Sequence, residues 1–90
     1  MGRWIAIGRV AGWGDLETFT HALKETTKWR VDPRTTITSV TALEDGRIIA
    51  ECHANSRAEF DAWLQANSFL VESISPITHI ARTGDIWKTR

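Results

Sequence analysis

The sequence has 90 residues, with eleven basic and eleven acidic side chains and no formal net charge, which predicts a single small domain over residues 1–90. Basic residues form no run longer than two and no apolar stretch approaches the ~20 residues of a membrane helix, which argues against nucleic-acid and membrane partners. Cys52 is the only cysteine; this excludes an internal disulfide, disfavours a structural zinc site and predicts a cytoplasmic protein.

The first predicted elements are a strand and a helix. Residues 3–10, "RWIAIGRV", are apolar with β-branched members, which indicates a strand buried on both faces. After the loop "AGWG", Asp15 is a favourable N-cap, and apolar residues recur at helical spacing. We expect this helix to cover residues 15–29 and to stop before Asp32-Pro33, because the residue before a proline avoids helical geometry.

A β-hairpin is predicted next. The runs 35–44 and 47–53 are rich in Thr, Val and Ile and flank Asp45-Gly46, and Asp-Gly between two strand-like runs favours a two-residue turn. With that turn, Val40 would lie opposite Glu51 and Thr38 opposite His53.

A second helix and a final strand complete the pattern. Ser56 and Glu59 have the spacing of a capping box, which predicts a helix that ends near residue 67. Residues 70–81, "LVESISPITHIA", indicate a strand, and its Pro76 favours an edge position.

The order β-α-β-β-α-β predicts an α+β, ferredoxin-like fold, with a four-stranded antiparallel sheet and both helices on one face. The other sheet face is then open, and a chain this small buries only roughly 60–65% of its unfolded surface. We therefore expect a homodimer or a higher homo-oligomer that pairs the open faces. Some of the five tryptophans, and Ile86 with Trp87 in the tail, are expected at a subunit interface or cavity.

Strand alternation assigns side chains of the hairpin to the two faces. Ile48 and Cys52 are placed under the helices, where the thiol is a buried and inert group. Glu51 and His53 are then neighbours on the open face, with Thr38 and Ile49.

Two further strands are expected to add to this face. His79 joins it if Ile74 and Ile80 face the helices. In the first strand we place Ile5 and Ile7 under the helices, which leaves Trp4 on the open side.

These positions define a candidate site for acid/base chemistry. Histidine moves protons near neutral pH, and a nearby carboxylate orients it. The candidate catalytic residues are Glu51, His53 and His79. The candidate ligand-binding residues are Trp4, Trp13, Thr38 and Ile49. The alternative is that Glu51 and His53 are ordinary solvated or interface residues of a strand.

Two other features have plainer interpretations. Gly8, Gly12 and Gly14 match the glycine spacing of dinucleotide-binding turns, but a hairpin follows where that fold needs repeated strand–helix units. His21 is expected to be a surface residue of the first helix.

The hairpin followed by "HANSRAEFDAWLQANSFLVESISPITHIAR" resembles the second half of muconolactone isomerase-like and uncharacterised members of the dimeric α/β-barrel superfamily. In these, a short capped turn leads into a helix with "LxxN/S-x-F/L" and then a strand of the type "xxIxPI". The resemblance covers most of the chain and implies two ferredoxin-like subunits packed sheet against sheet around ligand cavities. The superfamily includes isomerases, polyketide cyclases, cofactor-free monooxygenases and haem-handling enzymes, so the resemblance transfers no catalytic residue.

Three functions remain open from the sequence. The first is a homodimeric enzyme without a cofactor or metal, acting on a hydrophobic or aromatic carbonyl compound by isomerase-, cyclase- or cofactor-free monooxygenase-like chemistry. The second is a non-catalytic binding or oligomerisation module. The third, a minority alternative, is haem or metal binding through a histidine.

Overall fold

The structure is a computed structural model that describes residues 2–24 and 29–81. Within them the elements are β1 (Gly2–Arg9), α1 (Leu16–Ala22), β2 (Arg30–Asp32), β3 (Thr35–Ala42), β4 (Ile48–Ala54), α2 (Arg57–Ala66) and β5 (Leu70–Pro76). The strands form one antiparallel sheet in the order β2-β3-β4-β1-β5. The class is α+β, as predicted, and the four longer strands with two helices are compatible with a ferredoxin-like arrangement. The tail with Ile86 and Trp87 lies outside the described residues.

The first helix is shorter than the sequence pattern predicts. Its N-cap is Asp15, whose carboxylate accepts hydrogen bonds from the backbone N–H and the hydroxyl of Thr18 at 3.0 and 2.9 Å. The helix ends at Ala22 rather than at residue 29. Trp29 packs on the core and donates its indole N–H to the carbonyl of Leu23 at 2.7 Å. Strand pairing of β2 with β3 follows directly, so tertiary contacts override the helical pattern here.

The hairpin between β3 and β4 has a three-residue loop instead of the predicted two-residue turn. Leu43 N–H donates to the Arg47 carbonyl at 2.8 Å, and Gly46 N–H donates to the Leu43 carbonyl at 3.0 Å. Gly46 has φ +93°, the left-handed conformation that such loops require in their last residue. The added residue shifts the register by one, so Val40 lies opposite Ala50 and not Glu51.

A β-bulge in β3 changes the register again. Ile37 lies opposite Cys52 and Ser39 opposite Glu51, which leaves Thr38 as the extra residue on its strand. Ile37 therefore remains on the helix side, where it is buried. The pairing of Thr38 with His53 was wrong, because His53 lies opposite Thr36.

The prediction for the faces of β1 was also wrong. Trp4 lies opposite Cys52, so its side chain is on the helix side, where it packs against the core. Ile5 and Ile7 lie opposite Glu51 and Ile49, which places both isoleucines on the open face.

Residue size explains this arrangement of β1. Trp4 is itself one of the large aromatic side chains packed on the helix side, and the other residues of β1 on that side, Gly2, Ala6 and Gly8, are small and leave room for them. Gly8 is the extreme case. A Cβ at this position would lie 2.1 Å from the Leu70 carbonyl oxygen and 2.8 Å from the Phe69 ring.

The core fills the space between the sheet and α2. Phe60, Trp63 and Leu64 are the buried residues of that helix, and the rings of Phe60 and Trp63 stack with centroids 6.2 Å apart. Cys52 is fully buried among these apolar side chains, as predicted.

The predicted capping box at the start of α2 is incomplete. Ser56 is the N-cap residue, but its side chain makes no capping hydrogen bond. Glu59 instead accepts a hydrogen bond from the hydroxyl of buried Thr35, which links α2 to β3.

The final strand lies at the edge of the sheet, which confirms the position predicted from Pro76. Neither helix in the described ranges is long and apolar enough to span a bilayer.

Candidate functional site

The candidate site lies on the sheet face opposite the helices, here called the open face. Its centre is an apolar stripe of three half-buried isoleucines: Ile5, Ile7 and Ile49. Glu51 adjoins this stripe, directly opposite Ile5. Its side chain is buried, with 9% of the residue exposed. A buried carboxylate is costly unless hydrogen bonds or charges compensate it, so its surroundings are informative.

The bulge in β3 supplies one of these hydrogen bonds. Thr38 Oγ1 donates to Glu51 Oε2 over 2.7 Å. Because Thr38 is the extra residue beside the Ser39–Glu51 pair, its hydroxyl reaches the carboxylate from the neighbouring strand. The sequence placed Thr38 on the open face, and the bulge determines that it contacts Glu51.

His53 lies two residues further along β4 and shares the open face with Glu51, as strand alternation predicted. Its cross-strand neighbours are Arg3 in β1 and Thr36 in β3. The imidazole is half-buried. This end of the face therefore combines an imidazole, a guanidinium and a hydroxyl.

Sequence reasoning missed Arg3. It lies on the same side of β1 as Ile5 and Ile7, so the wrong assignment of those residues hid it. The sequence did contain a signal for the correct assignment. Apart from Trp4, the residues that alternate with Ile5 and Ile7 are small, and small residues are expected on the crowded helix side of a strand.

His79 is not part of this cluster in the described structure. Strand β5 ends at Pro76, and the last backbone hydrogen bond to β1 runs from Ile77 N–H to the Arg3 carbonyl at 2.8 Å. His79 lies beyond that point, is exposed, and has its Nδ1 3.0 Å from the Thr78 hydroxyl oxygen.

The two tryptophans predicted to line the site lie on the other side of the sheet. Trp4 packs against the core, and Trp13 is buried in it with its ring edge-on to Phe19 at 6.0 Å. Ile49 is on the open face, as predicted, opposite Ile7 and Thr41. The wall of the site is therefore aliphatic in this chain.

Concave surfaces also occur among the described residues away from the open face. A groove of about 410 Å³ lies between α2 and the edge strand, lined by Asp61, Leu64, Gln65, Phe69, Leu70 and Val71. Another surface follows the exposed side of α1 and includes His21, which is exposed as predicted.

Two described carboxyl groups away from the open face have lowered pKa values. The backbone N–H of Thr18 lowers the pKa of Asp15 at the start of α1. The backbone N–H of Arg47 lowers the pKa of Asp45 in the hairpin loop. Both effects are local hydrogen bonds of a cap or a turn.

The chemistry available on the open face is proton transfer and polar recognition beside an apolar surface. Glu51 can accept a proton, the imidazole of His53 can accept or donate one, and the isoleucines can contact an apolar ligand body. No group of three His, Cys, Asp or Glu side chains suited to a metal ion occurs among residues 2–24 and 29–81.

Comparisons of this chain with protein-family models, with curated protein sequences and with solved structures gave no match.

Proposed function

We propose that the open face binds a small hydrophobic or aromatic carbonyl compound and acts on it by acid/base chemistry of the isomerase or cyclase type. The observation that supports this proposal is the buried Glu51 carboxylate, hydrogen-bonded by Thr38 at 2.7 Å beside three isoleucines. A strand residue that served only for solubility would extend into water. A buried, oriented carboxylate next to an apolar surface is typical of a general base.

The proposed reaction is a proton shift next to a carbonyl group. Glu51 takes a proton from the carbon beside the carbonyl, and the electron pair moves toward the carbonyl oxygen. The His53 N–H donates a hydrogen bond to that oxygen. Return of the same proton to a different atom of the substrate completes an isomerisation with no outside oxidant or reductant.

The site would be enclosed by a second copy of the chain. Ile5, Ile7 and Ile49 are only half-buried in one chain, and a stripe of this kind is stabilised when a partner covers it. A homodimer that packs open face on open face would cover the stripe and exclude water from Glu51.

Native mass spectrometry tests this assembly. We expect a dimer for the wild type and a monomer for Ile49→Glu, which places a charge in the middle of the open face. Leu16→Glu is the control, because Leu16 is 78% exposed on α1 and should tolerate the charge. A monomeric wild type contradicts the enclosed site.

Deuterium exchange tests the chemistry. Wild-type protein is incubated in heavy water with a panel of aromatic ketones and 1,3-dicarbonyl compounds, and deuterium next to the carbonyl is measured by mass spectrometry. We expect exchange above background that Glu51→Gln abolishes and Thr38→Val reduces. Glu72→Gln is the control, since Glu72 is exposed at the edge strand and pairs with Arg9 at 3.4 Å. Wild-type exchange at background for every compound contradicts acid/base catalysis.

A non-catalytic oligomerisation module is the second candidate. The continuity of the isoleucine stripe across β1 and β4 favours it, because such a stripe can be filled by subunit contacts alone. A wild-type dimer without bound mass and without deuterium exchange would support this alternative.

A further inference from the structure

We infer that the ligand of the open face carries a carboxylate, and that Arg3 binds this group beside His53. The inference rests on the proposed function and narrows its substrate class to small oxo acids with an apolar body. Arg3 would be a ligand-positioning residue, while Glu51 remains the base.

The position of Arg3 is fixed by the strands on both sides of it. It lies directly opposite His53 of β4, and its carbonyl accepts the Ile77 N–H at 2.8 Å from the chain that follows β5. The side chain is half-buried on the open face. Its guanidinium therefore belongs to the same surface as the imidazole.

Comparison with Arg9 shows what is unusual about Arg3. Both arginines lie on the open side of β1. Arg9 is neutralised by Glu72 at 3.4 Å and also donates to the Asp45 carbonyl at 3.3 Å. No carboxylate of the described residues forms an ion pair with Arg3. The guanidinium of a half-buried arginine that no carboxylate of residues 2–24 and 29–81 neutralises is a suitable donor pair for a ligand carboxylate.

The spacing of residues on β1 indicates where the rest of the ligand would lie. Ile5 is two residues from Arg3, or roughly 7 Å along the strand, and it is opposite Glu51. A carboxylate held at Arg3 would bring the carbons next to a 2-oxo or 3-oxo group over Ile5, beside the Glu51 carboxylate. An apolar or aromatic body would then extend toward Ile7 and Ile49, which form the next cross-strand pair.

The test is an NMR titration of the labelled, full-length protein with two probes of the same shape. Phenylacetate carries the negative charge, and phenylacetamide replaces it with a neutral group. We expect backbone shifts at Ile5, Ile7 and Ile49 with both probes. Charge-assisted hydrogen bonds should make phenylacetate bind about tenfold more tightly.

Matched variants identify the residue responsible. Arg3→Met should reduce the preference for phenylacetate to about one, and Arg3→Lys should retain part of it, because a lysine keeps the charge but not the two-pronged geometry. Arg9→Met should leave the preference unchanged. A preference retained in Arg3→Met overturns the assignment.

Titration of the wild type alone distinguishes failure of the carboxylate inference from failure of the proposed binding face. Equal affinity for the acid and the amide overturns the carboxylate inference but leaves a binding face for apolar ligands. Absence of shifts at the isoleucine stripe with either probe contradicts the binding face itself, and with it the inference.

Discussion

The two faces of this sheet use the same strands but different kinds of side chain. The helix side of β1 and β4 carries small residues, such as Ala6, Ala50 and Cys52, under the aromatic side chains of α2. The open face carries the larger Ile5 and Ile7. Small side chains at the helix-side positions leave room for the aromatic groups above them, while Trp4 and Ile48 are the larger side chains of β1 and β4 on the same side. The branched aliphatic residues then make the centre of the opposite face apolar.

Alanine substitutions at two neighbouring residues of β4 are expected to show the largest difference in unfolding free energy between the two faces. Ile48 is fully buried on the helix side, whereas Ile49 is half-buried on the open face. Ile48→Ala should lower the free energy of unfolding by about 3 kcal/mol, since it leaves a cavity in the core. Ile49→Ala should lower it by about 1 kcal/mol or less in the separated chain. Urea denaturation, monitored by tryptophan fluorescence, measures both values.

Measuring the unfolding midpoint at several protein concentrations tests whether the open face, unlike the helix side, is covered by a second chain. If the open faces pair in a homodimer and Ile49→Ala weakens that dimer, dilution should lower the unfolding midpoint of the wild type more than that of Ile49→Ala, whose chains are already largely separated. Equal losses for the two alanine variants at low concentration would contradict the difference between the faces.

The next largest effect is expected at Gly8, where the helix side is most crowded. The Cβ of Gly8→Ala would meet the Leu70 carbonyl oxygen at 2.1 Å, so β5 must move away from β1. We expect a loss of roughly 2–3 kcal/mol in the free energy of unfolding. Gly14→Ala is the control, because nothing lies within 4 Å of its added Cβ. A loss for Gly8→Ala as small as that for Gly14→Ala would mean that the edge strand yields easily.

Much of the fold follows from local signals in the sequence. The class, the second helix and the edge position of Pro76 rest on periodicity, apolar spacing and proline chemistry. The first helix was predicted too long, because a repeating apolar pattern does not reveal that Trp29 packs on the core beside a short strand.

The site was predicted in part, and the errors have physical causes. Glu51 and His53 were assigned to the correct face, because alternation within one strand is robust. The residues opposite them in β3 were predicted wrongly, because one extra loop residue and one bulged residue each change the strand register. Trp4 was placed on the wrong face because hydrophobicity alone does not express which side has room for a large side chain.

The smallest expected effect is on the stability of α1 at low pH. It follows from a difference in burial between the two helices. Three residues of α2 are buried, but none of α1 is, so α1 depends more on its cap at Asp15. The Thr18 N–H holds the pKa of this carboxyl below its ordinary value of 3.8. A group with a lowered pKa stabilises the fold above its unfolded pKa, and that contribution is lost as the pH falls through the folded pKa.

We therefore expect acidification below about pH 4 to loosen α1 in the wild type and to have less effect in Asp15→Asn, which keeps a capping oxygen but cannot titrate. Hydrogen exchange of the amides of α1, measured at several pH values, checks this. Asp45→Asn is the matched control, because the pKa of Asp45 is also lowered, by the Arg47 N–H in the hairpin loop. It should alter acid sensitivity at the hairpin and leave α1 unchanged. Acid loosening of α1 that is equal in wild type and Asp15→Asn would mean that packing of Phe19 and Ala22 on the core, not the cap, holds this helix in place.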